Sequence, residues 1–103
     1  MEKISNVIES KEFKEIKDRL NFLIHTLEMI AILLEKNKIK NQSEKYDFIS
    51  SVFSIESEAD KILNNPYLNQ KEVADLIPLS KEAYENAHGL RDNIQESRYD
   101  DFK

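Results

Sequence analysis

Residues 13–34 read FKEIKDRLNFLIHTLEMIAILL, and the fold follows from how their apolar positions are spaced. Phe13, Ile16, Leu20, Leu23, Ile24, Leu27, Ile30, Ala31 and Leu34 recur at intervals of three and four, so at 100° per residue they form one stripe of an α-helix. The spacing predicts a helix from about residue 10 to residue 38. Phe22, Met29, Ile32 and Leu33 fall on the opposite side of that helix. One apolar stripe suffices for a core, and a second, left exposed, is costly and usually functional. The expectation is a homodimer or partner interface at Phe22, Met29, Ile32 and Leu33. The bland reading is that the N-terminal residues, or Tyr99 and Phe102 near the C-terminus, fold over them.

On the N-terminal side, Ile4, Val7 and Ile8 form a short apolar prefix over residues 1–9 that either extends the helix or packs separately, with Ser10 available as a cap between the two. On the C-terminal side, Asn41-Gln42-Ser43-Glu44 has the form of a capping box: Asn41 accepts from the amide three residues on, and Glu44 reaches back to the amide of Asn41. A second helix starts there, with Phe48, Ile49, Val52, Phe53, Ile55, Ala59, Ile62 and Leu63 on a broad apolar face. It stops before Pro66, which disfavours helical geometry at Asn65. A similar box, Asn69-Gln70-Lys71-Glu72, opens the third, whose apolar positions Val73, Leu76, Ile77, Ala83, Tyr84, Ala87, Leu90 and Ile94 keep helical phase past Pro78. Proline either kinks this helix or splits it near Ile77 into two, giving a fourth short helix. The tail, residues 97–103, is expected to fray. Helices of roughly 23 to 29 residues are about 35 to 43 Å long. Matched lengths and short loops imply an all-α, small antiparallel three-helix bundle in a single domain spanning residues 1–103.

Composition narrows the function more than it identifies it. A 103-residue, 12.1 kDa chain with 40% hydrophobic residues and no cysteine can bury a core without disulfide or Cys-ligated metal, and a cytoplasmic setting is the default. No stretch approaches the roughly 20 apolar residues of a membrane span, and the N-terminus lacks the order of a signal peptide. Heavy use of lysine, asparagine and isoleucine suggests an AT-rich genome, bacterial or phage. The net charge of -5 is uneven: residues 1–41 sum to +1, and residues 42–103 to -6. An acidic second half, with Glu58, Asp60, Asp75, Glu82 and Glu85 as its surface, disfavours nucleic acid and anionic membrane and favours a basic protein partner. Lys36, Lys38 and Lys40 are too few for a nucleic-acid footprint.

Three polar residues interrupt apolar arcs: Glu56, Ser80 and Arg91. Antiparallel register with a tight turn at Asn64-Asn65-Pro66 predicts a Glu56 to Ser80 hydrogen bond and leaves Arg91 to Glu44 or Glu35. Glu85-Asn86-Ala87-His88 has the Glu-x-x-His spacing of di-iron bundles, and His25 with Glu28 resembles a mirrored pair. Such sites need two motifs and two further inward carboxylates, and Glu85 points outward, so neither a metal nor another cofactor is expected.

Ala87-His88-Gly89-Leu90-Arg91 resembles the phosphoacceptor segment of histidine phosphotransfer domains. The resemblance implies His88 as phosphoacceptor, with Arg91 in the position of the family's lysine and Asp92 at its glycine. Glu56-Ser57-Glu58-Ala59-Asp60-Lys61-Ile62 is similar to a helix of PhoU-like phosphate-transport regulators, which implies Glu56 and Asp60 as metal ligands. Beside these stands the reading from the residues themselves. No Ser, His and Asp arrangement supports nucleophilic catalysis, and the chain is not expected to be an enzyme. It reads as a protein-binding module, a small acidic inhibitor, immunity protein or adaptor, self-associating through its first helix. The competing classes are histidine phosphotransfer and a structural subunit of a larger assembly.

Overall fold

Three α-helices follow in order: α1 (Glu2–Lys36), α2 (Gln42–Leu63) and α3 (Leu76–Gln95), with 3-10 turns at Pro66–Asn69 and Lys71–Val73 between the last two. The structure, a computed structural model, describes residues 2–102, and side chains within residues 11–102 apart from that of Glu72. The helices form the expected all-α bundle, but with unequal lengths: α1 spans 35 residues, α2 22 and α3 20. The backbone of residues 2–9 continues α1 without a break at Ser10, so no cap forms there. The side chains of Ile4, Val7 and Ile8 lie outside the described residues.

α1 ends at Lys36, and the chain then passes Ile39, whose side chain is fully buried despite its lysine neighbours. Asn41 starts α2 as expected. Its backbone is extended (φ -158°, ψ 169°), and its side chain accepts a hydrogen bond from the Glu44 amide at 2.8 Å. The return arm of the box is displaced by one residue, because Glu44 Oε1 accepts from the amide of Lys40 at 3.4 Å rather than from that of Asn41. At the other end, Asn65 is extended ahead of Pro66 and accepts from the Tyr67 amide at 3.0 Å, which turns the chain into the first 3-10 segment.

The box at Asn69 does not open α3. Asn69 is the last residue of a 3-10 turn, and α3 starts at Leu76. Pro78 is then its third residue, inside the first turn, where the amide has no intrahelical acceptor and a missing N–H loses nothing. Of the two alternatives, kink or split, the split fits: two 3-10 turns precede α3, which runs from Leu76 past Pro78 without interruption.

α3 lies against both other helices, whereas α1 and α2 meet at few positions. Its buried face is Leu76, Ser80, Ala83, Ala87, Leu90 and Ile94, and the small residues in the middle let neighbouring helices approach closely. One end of the core joins Leu20, Leu23 and Ile24 to Ala59, Leu68, Val73, Leu76 and Ala83, and the other joins Leu27, Leu34 and Ile39 to Val52, Ala87, Leu90, Ile94 and Tyr99. Ile55 touches both ends.

Residues 97–102 do not fray. α3 closes with Ser97 in the left-handed region (φ 67°), and the amide of Arg98 donates to the Asn93 carbonyl at 3.1 Å, the reversal that ends many helices. The chain turns back and pairs with residue 39: Ile39 N–H donates to Tyr99 O at 2.8 Å, and Asp101 N–H to Ile39 O at 2.7 Å. Tyr99 is buried, with Lys38 Nζ 5.3 Å from its ring centroid. Lys40 pairs with Asp101 at 2.9 Å, and the nearly buried Lys45 donates to Asp100 and to Ser97 Oγ, both at 2.9 Å. The basic loop is thus held by the acidic tail. Tyr99 and Phe102 pack into the core beside Ile39 and leave the outer face of α1 uncovered.

Candidate functional site

The apolar residues left over once the core is filled mark the candidate site. Phe22, Met29, Ile32 and Leu33 are 55%, 53%, 50% and 47% exposed, all on the side of α1 turned away from α2 and α3. The helix there is well made. Thr26 Oγ1 donates to the Phe22 carbonyl at 2.8 Å, and the Arg19 guanidinium stands 5.1 Å from the Phe22 ring centroid. Arg19 is itself fixed by an ion pair with Glu58 of α2, through Nε and through Nη2, the latter at 2.7 Å. Positions 22 to 33 span about 17 Å of helix, and the four side chains form a strip along it with the exposed His25 between Phe22 and Met29.

A second apolar patch was not legible from spacing. Phe53, expected on the core face of α2, is 53% exposed, and Tyr46, two turns earlier, is 65% exposed. They flank a shallow groove of about 310 Å³ between α2 and α3, lined also by Ile49, Arg91 and Gln95. The Arg91 guanidinium lies 5.6 Å from the Phe53 ring centroid. α2 carries more apolar residues than its contact with α3 covers, and counting positions across its wide arc could have flagged Phe53 as its edge.

Glu56 and Ser80 do not meet. Residues 64–75 separate α2 from α3, a longer connection than a tight turn at Pro66, and the added length slides the antiparallel register so that Glu56 faces positions 88 and 91. Arg91 donates through Nε to Glu56 Oε1 at 2.6 Å and through Nη2 to Oε2 at 3.1 Å, leaving Glu44 and Glu35 without it. Ser80 Oγ donates instead to the Leu76 carbonyl at 2.7 Å within its own helix. The Arg91 hydrogen bonds hold the Glu56 carboxyl below its ordinary range, against the opposing effect of burial, with a smaller contribution from His88.

His88 is half-exposed beside this pair. Nδ1 lies 3.4 Å from Glu56 Oε2, Nε2 lies 3.4 Å from Asp92 Oδ2, and the ring stacks on Tyr84 at a 6.1 Å centroid distance. Its partners are therefore these groups. Glu56 is committed to Arg91, and Asp60 accepts from Asn64 Nδ2 at 3.1 Å. Glu85 is exposed, and His25 sits 3.9 Å from Glu28 on the α1 surface. Among the described residues no group of three His, Asp or Glu side chains is arranged to hold a metal ion.

The five acidic positions divide. Glu58 and Asp60 are about 200° apart around α2 at 100° per residue, and Glu58 is engaged by Arg19. Asp75, at the N-cap of α3, and Glu82 and Glu85 within it are exposed. No helix among the described residues is long and apolar enough to cross a membrane. Set against protein-family models, curated proteins and solved structures, the chain shows no match.

Proposed function

We propose that the protein is a non-enzymatic binding module that acts by contact with other proteins and self-associates through the outer face of α1. The observation that carries this is the strip of four large apolar side chains, Phe22, Met29, Ile32 and Leu33, each about half in water. Completing the burial of each is worth on the order of 1 kcal/mol, so the strip rewards a protein surface that covers it. The acidic residues of α3 and the Tyr46–Phe53 groove stay free in such an assembly and suit a basic partner, as in a small inhibitor, immunity protein or adaptor. Leu33→Asp tests the reading: it places a charge in the strip without touching the core, and should abolish self-association while leaving helix content unchanged. Unchanged association and unchanged partner binding in a folded Leu33→Asp protein would remove the α1 face from consideration.

The second reading, phosphotransfer through His88, draws on the half-exposed imidazole. Nδ1 faces Glu56 Oε2 at 3.4 Å with Arg91 Nη2 beside it at 3.3 Å, and Nε2 faces Asp92 Oδ2 at 3.4 Å, so both ring nitrogens are already engaged. Incubation with a small phosphodonor should therefore leave the protein unlabelled. Labelling that His88→Gln abolishes would reverse the order of the two readings.

A further inference from the structure

We infer that the protein occupying the outer face of α1 is a second copy of this chain, docked antiparallel with the two-fold axis at the height of position 27 along the helix, so that Asp18 of each copy faces Lys36 of the other. This rests on the self-association proposed above and adds its orientation and register.

Positions 18, 22, 25, 29, 32 and 36 are spaced by four and three in alternation, the seam spacing of two helices packed at a shallow left-handed angle. All six are exposed, so the seam is open along its length. Its middle carries Phe22, His25, Met29 and Ile32, with Leu33 at the edge, and its ends carry opposite charges, Asp18 and Lys36. Neither Asp18 nor Lys36 has an ion-pair or hydrogen-bond partner among the described side chains, whereas Arg19, Glu35 and Lys38 nearby are paired.

Charge decides the orientation. Antiparallel pairing about position 27 sets Asp18 against Lys36, Phe22 against Ile32 and His25 against Met29, each twice by symmetry. Parallel pairing would set Asp18 against Asp18, His25 against His25 and Lys36 against Lys36, with like charges at both ends. The helix dipoles also oppose each other favourably only in the antiparallel arrangement. The seam from 18 to 36 is about 27 Å long. A contact of one helix on one helix over that length falls short of the roughly 800 Å² per partner of a standard stable complex, so the dimer is reversible and depends on concentration.

The chain has no cysteine, which makes directed cross-linking clean. Asp18→Cys and Lys36→Cys are made as separate proteins, at exposed positions away from the core, and oxidised alone and as an equal mixture. The mixture should give the mixed disulfide well beyond the roughly twofold excess over either homodimer that random pairing would produce. In parallel, light scattering should show that Asp18→Lys weakens the dimer about tenfold, and that adding Lys36→Asp to it restores the wild-type level. Asp18→Cys cross-linking to itself as readily as to Lys36→Cys, or no recovery in the double reversal, overturns the antiparallel register while self-association stands. A wild-type protein that is monomeric at every concentration, together with no disulfide in the mixture of the two cysteine variants, overturns the parent reading as well.

Discussion

Arg91 of α3 clamps Glu56 of α2 through both carboxylate oxygens, at 2.6 and 3.1 Å, and the Glu56 side chain is only 9% exposed. A buried carboxylate is tolerable only when its charge is answered, and here the answer comes from one guanidinium that also rests over Phe53. The pair fixes the register of α2 on α3 more than it adds net stability, since desolvation offsets much of the attraction. Removing one partner is a different matter. Glu56→Gln keeps the shape and leaves Arg91 without its counter-charge, and should cost about 1–3 kcal/mol, read as a lower melting temperature.

The pH dependence follows from the same pair. Glu56 and Glu58 are held below their ordinary value of 4.5 by hydrogen bonds from Arg91 and Arg19, each against burial. Burial pushes Asp100 up, but the hydrogen bonds from Lys45 and Ser97 outweigh it and leave its pKa below 3.8. A carboxyl with a depressed folded-state pKa contributes stability that is complete above its unfolded-state value and is lost as pH falls through the folded one. Melting temperature should be nearly flat from neutral pH to about 5 and fall below about 4. The gap between wild type and Glu56→Gln should narrow over the same acidic range.

Tyr99 closes the end of the core formed by Leu27, Leu34 and Ile39. Tyr99→Ala should cost about 2–4 kcal/mol and speed hydrogen exchange at the amides of Ile39 and Asp101, which the tail pairing protects. A tail that contributed nothing would leave both amides and the melting temperature unmoved.

The two Asn boxes behave differently. Asn41→Ala removes the hydrogen bond to the Glu44 amide and should cost about 1 kcal/mol. Asn69→Ala, at the end of a 3-10 turn, should change stability by less than about 0.5 kcal/mol. Denaturant titration of both variants separates them.

The residues legible in the sequence are those whose role is local. The Leu20 to Leu34 stripe, the Asn41 cap, the stop before Pro66 and the exposure of Phe22, Met29, Ile32 and Leu33 follow from periodicity and backbone chemistry within one element. Contacts between elements were less legible, because they depend on where each turn places the next helix. Two 3-10 turns between α2 and α3 moved the partner of Glu56 from Ser80 to Arg91, and no spacing rule gives the length of such a connection. The tail carried a readable signal in Tyr99 and Phe102, two aromatics among charges, matched by Ile39 alone between two lysines. Their pairing joins segments about sixty residues apart, beyond any local pattern.

Self-association through the α1 face is tested most directly by light scattering coupled to size-exclusion chromatography over a wide range of protein concentration. The expected result is a mass that rises with concentration from 12.1 kDa towards twice that value, while Leu33→Asp stays at the monomer mass with unchanged helix content. A wild-type mass of 12.1 kDa at every concentration, indistinguishable from that of Leu33→Asp, would contradict it.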